Sequence, residues 1–210
     1  DNWTFYFDDI TQVETCPTGG GGGGGGSSSD LPTLDFEGGA GGADFTWNVF
    51  ENGDNPGVAF IANPDASGIN TSATVAQFTV RDAGQDFAGA ITNDLPTFTL
   101  DASNAVVKVM VWKSVISDVG IKFEDASQGS TGEIKVANTV TNQWEELTFD
   151  FTAVIGNPVN TDITGFVVFP DFAPRDQDNI VYIDNITFGD DAGSGGGGSG
   201  GGGGGMSAPV

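Results

Sequence analysis

Two glycine-rich tracts, residues 19–29 and 193–205, bracket residues 31–188, and a heptapeptide that precedes the first tract returns before the second. The copies are Phe5-Tyr6-Phe7-Asp8-Asp9-Ile10-Thr11 and Val181-Tyr182-Ile183-Asp184-Asn185-Ile186-Thr187. Self-similarity at two such places is the mark of a modular array. The reading is that residues 1–14 are the closing strand of a preceding similar module, 15–30 a Gly/Ser linker, 31–188 one complete module, 189–205 a second linker and 206–210 the start of a following segment. Tracts of this composition behave as flexible polyglycine coils that tether modules without orienting them. The interval 31–188 suffices for one sandwich-sized domain with a real core and is too short for two.

Within that interval apolar residues recur with period two. Val107, Val109 and Val111 fall on one face of a run whose other face carries Val106, Lys108, Met110 and Trp112, which is the pattern of a strand. Similar runs occupy residues 45–50, 58–62, 74–80, 97–100, 119–124, 133–137, 146–151, 163–169 and 180–188, with turn-forming clusters such as Glu51-Asn52-Gly53-Asp54 and Asn157-Pro158 between them. About ten strands and no helical period predict an all-β fold, an antiparallel β-sandwich of jelly-roll, galactose-binding-like type.

Charge excludes several partners. The 210 residues hold 29 acidic groups against six cations and no histidine, a net charge of -23. A polyanion is repelled at long range, so nucleic acid and anionic membrane are not expected partners. No apolar run reaches the roughly 20 residues of a membrane span. Cys16 is the single cysteine, which rules out an internal disulfide and leaves a partner in another module, a crosslink or a free thiol. Acidity, little lysine and Gly/Ser linkers together suggest an extracellular or cell-surface protein.

Five elements in order carry a resemblance: Leu34-Asp35-Phe36-Glu37, residues 63–73, Val109-Met110-Val111-Trp112, the run from Gln143 to Phe151, and Tyr182-Ile183-Asp184-Asn185-Ile186. Over nearly all of residues 31–188 the chain resembles the jelly-roll carbohydrate-binding modules attached to marine bacterial laminarinases and surface glycan-binding proteins, akin to carbohydrate-binding module family 4. The resemblance implies non-catalytic binding of a polysaccharide, a neutral glucan such as β-1,3-glucan, and a structural calcium ion tying the first strand to the last. Glu37 and Asp184 match the acidic positions of those strands. Calcium asks for six to eight hard oxygens, and with few cations in the chain an acid retained within an apolar strand points to a metal unless it faces solvent. Asp65 and Asn70 are further metal candidates.

A glycan site needs an aromatic face for the C–H side of a pyranose and planar polar side chains at its rim. Trp47, Phe87 and Phe172 are the expected platforms. Phe172 lies in a Pro-rich stretch expected to be a loop, which alternatively makes it a plug over the sandwich end, and Phe87 stands where the similar modules have tryptophan. Trp112 and Trp144 are expected in the core. Arg81, Gln77 and Asp171 are the polar candidates, Arg81 either holding sugar oxygens or pairing with Asp82 or another acid. With no histidine and no cysteine in the module, and adjacent carboxylates sent to opposite faces of a strand, no catalytic residue is expected. A structural or adhesive repeat, self-associating through the strand at residues 3–11, is the alternative function.

Overall fold

In the computed structural model the described residues are 31–189. The expectations for residues 1–30 and 190–210, the linkers, Cys16 and the N-terminal strand among them, lie outside that range. The ten strands are β1 (Asn48–Phe50), β2 (Ala59–Ala62), β3 (Thr74–Val80), β4 (Gly89–Thr92), β5 (Val106–Lys113), β6 (Asp118–Asp125), β7 (Ile134–Ala137), β8 (Trp144–Asp150), β9 (Ile163–Phe172) and β10 (Asn179–Phe188). They form two five-stranded antiparallel sheets, ordered β1-β4-β9-β6-β7 and β2-β3-β10-β5-β8. The expected all-β sandwich is what the chain forms.

Alternation explains the layers. Val107, Val109 and Val111 of β5 are buried toward Leu147 and Phe149 of β8 and toward Val181 and Ile183 of β10. From the other sheet Val119, Ile121 and Phe123 of β6 and Phe166 and Val168 of β9 meet them, and each such side chain contributes about 1.5–3 kcal/mol when fully buried. Phe123 is the hub, its ring 5.0 Å from Phe151 and 5.7 Å from Phe166.

Three register shifts interrupt the ladders, one of them between Gly165 and Ile163 of β9, and the other two decide where the site's side chains point. Between Asp184 and Thr187, β10 carries one residue more than its partner β5, and Asn185 takes the left-handed region with φ 46°. The extra residue switches the phase, so Val181 and Ile183 before it and Ile186 and Phe188 after it all face the core. A second bulge lies in β9, where Gly120 pairs with Phe169 but Asp118 pairs with Phe172. Pro170, which has no N–H for a ladder, falls inside it.

Some boundaries differ from the sequence expectation. Residues 97–100 make only an isolated bridge, Phe98 to Ile163, while β4 was not anticipated because it is four residues long and begins with glycine and alanine. Phe172 ends β9 and is not in a loop. The two tryptophans expected in the core stand outside the inter-sheet layer: Trp112 pairs with both Trp144 and Tyr182 on the outer face of the second sheet. There Trp144 is covered by the 63–65 turn, its indole N–H donating to Asn63 Oδ1 and Asp65 O.

Candidate functional site

The outer face of the first sheet carries an aromatic platform. Phe50 pairs with Gly89, and Phe169 pairs with Gly120, which pairs with Lys135; Gly89 stands one residue beyond the Ala90–Val168 pair and against the Phe169 ring, so these five residues form one line across the sheet. At the spacing of hydrogen-bonded strands that line is about 19 Å long. The glycines make room for the rings. A Cβ at Gly89 would lie 2.8 Å from Phe50 Cζ and 2.6 Å from the Val168 carbonyl oxygen, and one at Gly120 would lie 3.0 Å from the Phe169 ring. The β9 bulge adds Phe172 to the same face, ring centroid 5.3 Å from that of Phe169. Without it, strand alternation would send residues 169 and 172 to opposite faces.

Phe87 closes one side from the 81–88 loop and is 44% exposed, unusual for a phenylalanine. Together Phe50, Phe87, Phe169 and Phe172 with Lys122 and Glu133 line an open groove of about 380 Å³. The Lys122 ammonium is 2.6 Å from Glu124 and 5.8 Å from the Phe169 centroid. The Lys135 ammonium sits 4.1 Å over the Phe172 ring, a cation–π contact. The groove therefore offers an aromatic apolar surface of rings packed edge-to-face, with donors and an acceptor at the rim, the chemistry of sugar recognition.

Of the glycan residues expected from sequence, Phe87 and Phe172 meet in this groove and the others do not. Trp47 is turned inward, its ring 6.1–6.5 Å from those of Phe36, Phe78 and Phe166 and its N–H donating to the Gly42 carbonyl. Gln77 belongs to β3 in the second sheet, paired with Ala59 and Tyr182. The Arg81 fork is filled by carboxylates, 2.8 Å from Asp54 and 2.7 Å from Asp178, whose hydrogen bonds hold the guanidinium further above its ordinary range. Neither partner is the neighbouring Asp82. Asp171 is buried and takes Lys113 at 3.2 Å, the Ser117 hydroxyl and the Asn179 amide. Burial alone would raise its carboxyl, yet these partners hold it below the usual range, while burial pulls the Lys113 ammonium down. Phe50, Phe169, Lys122 and Lys135 were missed. A glycine at the start of an apolar β-run, at 89, or inside one, at 120, is the signal that marks them in retrospect.

The calcium candidates are Asp184, in β10 of the second sheet, and Glu37, Asp65 and Asn70, in connecting segments. Asp184 is fully buried at the β10 bulge. Its Oδ2 accepts from Asn70 Nδ2 (2.8 Å) and Asn185 Nδ2 (3.3 Å), and its Oδ1 has no partner among the described residues. Burial pushes this carboxyl up to about 6, against donors from Ser72, Asn70 and the Asn185 backbone, and the Glu37 charge adds to the rise. Glu37 is exposed and accepts from the backbone N–H groups of Ala73 and Thr74 through Oε1. Asp65 is engaged elsewhere, its carboxylate with Ser67 and its carbonyl with Trp144. No group of three or more acidic, His or Cys side chains at metal distance occurs among the described residues. A buried carboxylate oxygen without a donor beside a second carboxylate nonetheless fits a hard cation, with amide and backbone oxygens completing the shell.

Comparisons with known proteins fall in line with this architecture. No family model matches the chain, and no curated protein does. The solved structures it is similar to are mostly carbohydrate-binding modules. An arabinose-bound α-L-arabinofuranosidase superposes with a TM-score of 0.56 at 15% identity over 80% of this chain and 27% of its own, so the chain spans about a quarter of that protein. A family 28 module specific for non-crystalline cellulose gives 0.48 at 11% identity over 78% of this chain and 97% of that one. The family 11 module of the cellulosomal cellulase Lic26A-Cel5E of Clostridium thermocellum gives 0.48 at 13% over 77% and 95%. At 15% identity the likeness to the arabinofuranosidase is one of fold. Among the described residues no helix is long and apolar enough to cross a membrane.

Proposed function

We propose that this module binds a polysaccharide without transforming it, laying the glycan across the groove of Phe50, Phe87, Phe169 and Phe172. The observation that carries the reading is the alternation of glycine with large side chains across the sheet, which gathers Phe50, Phe169 and Phe172 edge-to-face on its outer side with Phe87 projecting beside them. Phe169 is buried beneath its neighbours, Phe50 and Phe172 are half-buried, and Phe87 is exposed, so the cluster presents an apolar surface that asks for a ligand at Phe87 and along its edge. Lys122, Lys135 and Glu133 would meet ring hydroxyls. By the family resemblance the first ligand to test is a neutral glucan such as β-1,3-glucan, and the setting is an extracellular protein whose modules are joined by glycine tracts.

Calcium belongs to the same reading. Asp184 and Glu37 would hold it, with Asn70 beside them, and when bound it would neutralise the buried carboxylate and tie the 31–37 segment to β10, which already meet through the Leu34–Ile186 bridge. It would have no part in ligand binding, because the platform is on the other sheet.

The test is titration calorimetry against laminarin, mixed-linkage glucan, xylan, mannan and alginate, with calcium and after chelation. Saturable binding to one glycan, lost in Phe87→Ala and kept in Gln77→Ala, is expected. Binding that ignores Phe87 and Phe172 alike would remove the platform from the account.

A further inference from the structure

Arg175 lies just past β9, outside the groove, with a side chain only 2% exposed. Its guanidinium donates in four directions. Nη1 reaches the carbonyls of Arg81 (3.0 Å) and Gln85 (3.0 Å), and Nη2 reaches those of Asp171 (2.8 Å) and, more loosely, Asp86 (3.4 Å). Nε stands 3.5 Å from Asp171 Oδ2, and that carboxylate is itself fixed by Lys113, Ser117 and Asn179.

Two of these carbonyls belong to the peptide units that lead into platform rings. Asp86 C=O joins Phe87, and Asp171 C=O joins Phe172. The Gln85 carbonyl also accepts from Ala88 N–H at 2.9 Å, closing a four-residue turn with Phe87 at its third position. The loop carrying Phe87 and the strand end carrying Phe172 are thus hung from one planar fork. A loop phenylalanine 44% exposed has little packing of its own to hold it.

We propose that Arg175 is a positioning residue of the binding face, setting the spacing and angle between Phe87 and Phe172. The inference rests on the platform reading. A lysine has a point charge and cannot engage these carbonyls in one plane, so the geometry calls for arginine specifically.

The experiment uses the full chain as wild type, Arg175→Lys, Phe87→Ala, Phe172→Ala and the Arg175→Lys/Phe87→Ala double variant. It measures thermal unfolding, affinity for the glycan that wild type binds, and 19F resonances of fluorophenylalanine-labelled protein, with the Phe87 and Phe172 signals assigned by their loss in the alanine variants. Arg175→Lys is expected to keep the signals of the core rings Phe123 and Phe151, to move those of Phe87 and Phe172, and to weaken binding by about fivefold or more. In the Phe87→Ala background the same change is expected to cost less than about twofold, because the residue acts through that ring. Unmoved Phe87 and Phe172 signals overturn the inference, as does an equal loss of affinity in both backgrounds. A wild type that binds no glycan would sink the platform reading, and the resonances would still judge Arg175.

Discussion

Phe87 and Trp47 show how differently two aromatic residues of one face-forming region are used. Phe87 projects from a turn, so Phe87→Ala is expected to lower glycan affinity by about tenfold while leaving the melting temperature within about a degree or two, since little buried area is lost. Trp47 packs among three rings, and Trp47→Ala is expected to cost about 3–5 kcal/mol of stability, read in denaturant unfolding, by opening a cavity. Asp184 yields a prediction in pH. Its folded value of about 6 stands above the reference of 3.8, so the carboxyl costs nothing below about pH 4, where it is protonated in both states, and destabilises progressively as pH rises through 6. Calcium-free Asp184→Asn is therefore expected to exceed wild type by on the order of 2–3 kcal/mol at pH 7.5 and to converge with it near pH 4. Calcium should raise the wild-type melting temperature and leave that of Asp184→Asn unmoved.

Among the elements, β9 and β10 do more than fill the centre of each sheet. Each carries a bulge, and each bulge puts a functional group where alternation would not: Phe172 beside Phe169 in one, Asp184 beneath Asn70 in the other. Both places were only half visible in the sequence. The acid at 184 stood out within its apolar strand, but the phase change that buries it needs the ladder with β5. The Phe169-Pro170-Asp171-Phe172 stretch resembles a loop because proline and the aspartate after it interrupt the alternation, whereas proline is tolerated at the bulge. Glycine at β4 serves the same face: Gly89→Ala would press a methyl against the Val168 carbonyl and Phe50, and it is expected to cost about 1–3 kcal/mol and displace the ring, seen as weaker binding together with a lower melting temperature.

Across the whole molecule the six cations in an acidic chain are placed sparingly. Arg81 ties the 54 and 178 loops, Lys108 stands 3.8 Å from Glu146, Lys113 and Arg175 share the buried Asp171, and Lys122 and Lys135 stand over platform rings. The end of the sandwich that holds Asp171 also holds the loop behind Phe87, so charge burial and ligand face are mechanically joined. Asp171→Ala, which leaves two buried cations without their carboxylate, is expected to destabilise by about 3–5 kcal/mol in denaturant unfolding, and more than Asp54→Ala, where solvent screens the ion pair.

Periodicity and charge, both local properties of the chain, were enough to determine an antiparallel sandwich and an acidic chain ill suited to polyanions. Local order cannot report register. Phe50, Phe169 and Lys135 lie far apart in sequence and meet only because β1, β4, β9, β6 and β7 align them, with glycine between. Nor can it say which aromatic rings turn inward: Trp47 and Phe87 looked alike in sequence, and the depth of the pocket formed by Phe36, Phe78 and Phe166 separated them. Side-chain direction in a strand changes with every added residue, so the two bulges and the cross-strand pairing, which exist only in the folded sheets, decided the site.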